Sequence, residues 1–293
     1  MSNELTTPQN NMTPAALAEM LGNKSDGGGE VNSGPRTSRL TQIQTPIMAM
    51  VEVNGKKMNM EALPVGTFAL RISEDETVYS DTATVRVFLH REQWTRWFSD
   101  TKEMGKSVLA TDLRSDLHDN MGGFNLGRPS GYVQDFNALP DATKDLMRAV
   151  KRTRVVMGLV TLDNPMNDSG EAVSSEYKDI PFIYDVKNTK SIKALDAAIK
   201  SLGRKNMLPI MGNMILSAET DTLPNGNLFA YLSATAGSTL VELGDIDYET
   251  LNGFNDLVSV INTKIMDEYY ENQDKALSNE DAALVGSIVD VEG

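Results

Sequence analysis

Two Asn-Gly pairs constrain the fold of this chain more than any other feature. Asn54-Gly55 lies inside "PIMAMVEVNGKKMNM", and Asn225-Gly226 separates "MGNMILSAET" from "NLFAYLSATA". Asn and Gly both tolerate positive φ, which the tight turn between twisted antiparallel strands requires. Each pair therefore predicts a β-hairpin. The runs "GTFALRI", "TATVRVFLHREQWTRWF", "VVMGLVTL" and "DIPFIYDV" add further strands. In the second of these, Val85, Val87 and Leu89 alternate with Arg86, Phe88 and His90. Strict alternation predicts an apolar face opposite one that mixes cations with aromatic rings.

Within the body, helical spacing is confined to three stretches. Leu146, Met147 and Val150 mark the first, and Leu257, Val260, Ile261 and Ile265 the last. The clearest lies between them, with Ile192, Leu195, Ile199 and Leu202 on one face, Gly203 at its end and Pro209 beyond. Strands dominate and do not alternate regularly with helices, which argues against a doubly wound sheet. The expected class is mainly β (α+β). Its leading member is an antiparallel barrel of the oligonucleotide-binding (OB) type, with embellishing helices and a C-terminal helix. Residues 1–44 are rich in Asn, Thr, Ser, Gly and Pro and read as a disordered arm, with one short helix at "TPAALAEML". Residues 45–271 form the barrel domain in this reading, and 272–293 an acidic flexible tail.

Composition removes several classes of function. The chain has no cysteine, so disulfides and thiolate chemistry are impossible. It has no run of eighteen apolar residues and no basic stretch followed by an apolar one near its start. A protein without membrane contact in the cytoplasm, the host's if the chain is viral, is the expectation. The net charge of −14 is unevenly spread. From Glu242 onward there are thirteen acidic residues and two lysines, whereas Lys144 to Lys205 carries a local net charge of +4. That asymmetry suggests a basic working surface and an acidic tail.

Catalytic motifs are missing. There are two histidines, His90 and His118, and no HExxH or GxSxG pattern. "GGFNLGRPSGY" has the glycine spacing of a phosphate-binding loop, but Arg128 and Pro129 stand where Lys and Ser/Thr are needed. A non-enzymatic protein without metal or cofactor is therefore expected. Phe124, Arg128 and Tyr132 in that stretch mix aromatic and cationic groups. Arg86, Phe88, Trp94, Arg96 and Trp97 repeat the mixture, with Phe88 and Trp97 assigned to the core. Arg148, Lys151, Arg152 and Arg154 add a cationic cluster. Cations interleaved with aromatics are the footprint of single-stranded nucleic-acid binding, since a ring stacks on any base and a cation neutralises phosphate.

The cation-aromatic β body, the strand-then-helix segment "IPFIYDVKNTKSIKALDAAIKSL" and the acidic C-terminal segment together resemble the single-stranded DNA-binding proteins of bacteriophages. That resemblance implies sequence-tolerant binding of single-stranded DNA in phage replication or recombination. It also implies that a mobile acidic tail competes for the groove and recruits replication proteins. The chain departs from that pattern in ending "SIVDVEG", without a terminal aromatic or a dense acidic run. A phage virion structural or assembly protein is the alternative, because a β-rich body with an N-terminal arm suits that role as well. Oligomeric state is not legible in the sequence.

Overall fold

The computed structural model describes residues 37–53, 56–113, 116–129, 135–223 and 226–289, with only the backbone for residues 51, 53 and 274–289. The short helix expected at "TPAALAEML", the Asn54-Gly55 pair, Asn225 and Tyr132 lie outside the described residues.

Strand β1 (Ser38–Gln42) opens the body seven residues before its expected start at residue 45. A hairpin of β2 (Ile47–Val53) and β3 (Lys56–Leu63) follows as a separate two-stranded sheet. Then come β4 (Phe68–Arg71), β5 (Thr77–Ser80), the seventeen-residue β6 (Thr82–Phe98) and β7 (Glu103–Lys106). Helix α1 (Asp141–Ala149) leads directly into β8 (Lys151–Asp163) and β9 (Ile180–Val186). Helix α2 (Thr189–Arg204), strands β10 (Gly212–Thr222) and β11 (Leu228–Leu240), and helix α3 (Asp245–Val289) complete the order. The helix expected to end near Glu271 thus continues through Val289.

The main sheet runs β11-β10-β6-β8-β9-β1-β4-β5, with β7 also on β6. Its mixed character comes from β1, which pairs with β9 in parallel and with β4 antiparallel. Leu40, Phe68, Val85, Phe182, Leu216 and Leu232, drawn from six strands, share one core with Ile192, Leu195 and Leu202 of α2. The sheet is curved enough for Gln44, just past β1, to reach β11, where its side chain accepts from the Ala230 amide (3.0 Å) and donates to the Ala230 carbonyl (3.2 Å). No strand ladder joins β11 to β5 or β1 among the described residues, so the sheet is open and the expected closed barrel is corrected. α2 fills the mouth instead. Asn188 caps it by accepting from the Lys190 amide (2.8 Å), and Ser191 accepts from the Leu232 amide (2.8 Å).

The opposite face of the sheet is covered by α3. Phe254 and Val258 pack on Phe88, Leu89, Val155 and Met157, and the Phe88 and Phe254 rings meet edge-to-face at 5.9 Å. Phe88 and Leu89 are adjacent yet belong to one cluster, which strict alternation forbids. The cause is a β-bulge: Val87 pairs with Gly158 and Leu89 with Met157, leaving Phe88 as an extra residue. The expected apolar and cation-aromatic faces of β6 are therefore exchanged at Phe88. Gly158 makes the bulge possible, because a Cβ there would lie 2.0 Å from the Arg86 carbonyl oxygen. Gly158→Ala is expected to cost about 3 kcal/mol or more, read as a lowered urea midpoint at unchanged m-value.

Candidate nucleic-acid interface

Beyond the bulge, the even-numbered residues of β6 share the α2 face with Arg152 and Arg154 of β8, while the odd-numbered ones share the α3 face with Lys151. This alternation divides the basic cluster expected from the sequence. Arg152 and Arg154 converge on Glu92, which is buried. Arg152 donates Nε and Nη2 to the two carboxylate oxygens at 2.8 and 2.6 Å. Arg154 donates Nε to Oε1 (2.6 Å) and Nη1 to Asp196 of α2 (2.7 Å). The network ties β6, β8 and α2 together. Burial pushes the Glu92 carboxyl up, but its bonds to Arg152 and Arg154 outweigh that and hold it below the usual range.

His90 lies beside this network with its Nδ1 buried and unpartnered among the described residues. Burial lowers its pKa, and the charges of Arg154 and Arg91 lower it further, against smaller opposing effects of Glu92 and Asp196. A depressed folded-state pKa means that the unfolded chain takes up the proton first, so stability present above the ordinary histidine range is lost as pH falls through it. The thermal midpoint is expected to drop from about pH 7 downward, and His90→Gln should flatten that slope. An identical pH profile for the variant would contradict this role of His90.

Arg86 faces α3, where Nη2 bonds Asp247 at 2.8 Å and Nε donates to the Ile210 carbonyl at 3.2 Å. It anchors the first turn of α3. Arg148 pairs with Asp145 (3.0 Å) and lies 5.5 Å from the Phe136 ring. Arg96 lies over Phe98 at 4.5 Å, and Trp94 lies under Arg128 at 4.7 Å. Arg128 also donates Nη1 to the carbonyls of Met147 (2.6 Å) and Val150 (3.3 Å), capping the C-terminus of α1.

The glycine-rich stretch is a built turn organised by Asp119, whose side chain is fully buried. Its carboxylate accepts from the amides of Met121 (3.0 Å), Gly123 (3.1 Å) and Leu126 (2.6 Å). Asn125, Leu126 and Gly127 then take consecutive left-handed conformations, with φ of 53, 56 and 78°. Gly122 lies against the α3 backbone, where a Cβ would come within 3.1 Å of the Gln273 nitrogen. The Asn272 side chain donates to the Asn120 carbonyl at 2.7 Å. The Phe124 ring lies 4.8 Å from His118, which meets Tyr269 of α3 at 4.6 Å. Phe124 keeps 47% of its surface exposed. Asp119→Ala would leave three amides without their acceptor and should lower unfolding stability by roughly 2–4 kcal/mol, measured by denaturant titration.

Trp97, assigned to the core from sequence, is 57% exposed near the end of β6. On β6, Thr95 pairs with Lys151 on one side and Lys106 on the other, while Trp97 pairs with Met104. Lys106 and Lys151 thus share a face with Trp97 at diagonal positions, where side chains sit roughly 7–8 Å apart. Neither lysine forms an ion pair with a described residue. The signal for Lys106 was its place in "EMGK", a four-residue strand that periodicity alone does not resolve. No family model, curated protein or solved structure shows significant similarity to this chain.

Proposed function

We propose that this chain binds single-stranded DNA without base preference, in the phage replication or recombination setting that its sequence resemblance implies. The observation that carries the reading is Trp97, an exposed indole at a sheet end with Lys106 and Lys151 on its face. An indole stacks on any base, and two lysines with no acidic partner among the described residues can neutralise adjacent phosphates. Half-exposed Phe124 extends the same chemistry. Arg96 stays available over Phe98. Arg86, Arg128, Arg152 and Arg154 serve instead as ties between elements, each already holding a carboxylate or carbonyl.

Trp97→Ala should weaken oligo-dT binding by about 1–3 kcal/mol, roughly five- to 150-fold, with little change in melting temperature. Lys151→Ala should flatten the slope of log affinity against log salt by about 0.7, the share of one phosphate on a single strand. Fluorescence anisotropy with labelled oligo-dT and equal-length duplex reads both. Unaltered binding by Trp97→Ala, or a preference for duplex, would overturn the reading.

A further inference from the structure

The β2–β3 hairpin stands apart from the main sheet, and all of Lys56 to Glu61 is exposed. Met48, Met50, Met58 and Met60 each show about half or more of their surface. A two-stranded hairpin alone is marginal in water, and among the described residues no strand pairs with the outer edge of β3, whose backbone donors and acceptors are open to another strand. Something that adds a strand would satisfy both. The strand "KKMNMEAL" carries its own complement. In antiparallel pairing about a two-fold axis at Asn59, Lys57 of one copy falls opposite Glu61 of the other, twice. Met58 falls opposite Met60, also twice.

We propose that the outer edge of β3 is a self-association surface, pairing two copies of this chain into a four-stranded sheet centred on Asn59. Charge selects this occupant over nucleic acid. Lys56 and Lys57 are balanced by Glu52 and Glu61, so the hairpin has no net charge to offer phosphate. The chain as a whole carries −14, so copies repel one another elsewhere and can approach through a neutral, self-complementary strand. β2 is not equivalent: pairing about Met50 would set Glu52 against Met48. A two-fold axis uses each contact twice, which doubles the effect of any mismatch. This inference does not depend on the DNA-binding reading.

Sedimentation of the full chain tests it. The wild type should form a dimer in the micromolar range. Lys57→Glu sets Glu against Glu61 in both contacts, and Glu61→Lys sets Lys against Lys57. Each should raise the dimer dissociation constant by roughly tenfold or more. An equimolar mixture of the two single variants should form a heterodimer, because both charged pairs across the axis are again of opposite sign. The double variant should self-associate like the wild type. Both altered side chains are exposed; Glu61→Lys, which faces Met48 within the hairpin, should leave the melting temperature unchanged, and Lys57→Glu, which faces Glu52, should lower it only slightly. A monomeric wild type, a dimer indifferent to Lys57→Glu, or a mixture that stays monomeric would each overturn the proposal.

Discussion

One extra residue, Phe88, orders the far half of β6. It sets two residues of β6 against one of β8, and the close approach tolerates only glycine at position 158. Without it, Glu92 would face α3, on the opposite side of the sheet from Arg154 and Asp196. A buried carboxylate without those cations would be costly to keep charged. Trp94 would likewise leave the face on which Arg128 stacks, and Trp97 would part from Lys151. The bulge therefore decides which charged groups become internal ties and which aromatic ring remains in water.

Residue type then divides the cations. Arg86, Arg128 and Arg154 each bond two acceptors from separate residues, and each links segments distant in sequence. A planar fork of donors suits that task, since several acceptors are satisfied from one fixed side chain. Lys106 and Lys151 stay on the surface, where a strongly hydrated ammonium loses least. The basic stretch from Arg148 to Arg154 is thus two populations: internal connectors on one face of β8 and solvated charge on the other. A tally of local charge cannot separate them, because strand alternation and cross-strand partners make the distinction.

What was legible in the sequence follows the range of the physics involved. β8, β9 and α2 were readable because a buried strand and an amphipathic helix announce themselves within a dozen residues. The Asn54-Gly55 signal placed the hairpin, and the ladder now runs to Val53 against Lys56. β1 was hidden because five residues in a polar context find their parallel partner, β9, about 140 positions away. β7 was hidden by its brevity, and with it the partner row that places Lys106 beside Trp97. The barrel expectation captured a curved β core but not its opening, since closure rests on pairing between the outermost strands. Asp119 left no sequence signal at all; only the fold shows three amides turning toward one carboxylate.

Energetics join the proposed DNA surface to the proposed pairing of copies. One stacked base contributes about 1–3 kcal/mol, while micromolar binding requires about 8 kcal/mol. Two lysines on phosphate narrow that gap, and they do so less at higher salt because their contribution is counterion release. A patch with one exposed indole is therefore a weak site by itself, and a long single strand offers many such sites in series. Joining two copies through β3 turns the second contact with the same strand into an intramolecular event, governed by effective concentration instead of bulk concentration. Affinity then rises without any new contact to a base, which keeps binding indifferent to sequence. The proposed β3 pairing would supply that linkage through a neutral hairpin on a chain whose net charge of −14 opposes contact elsewhere.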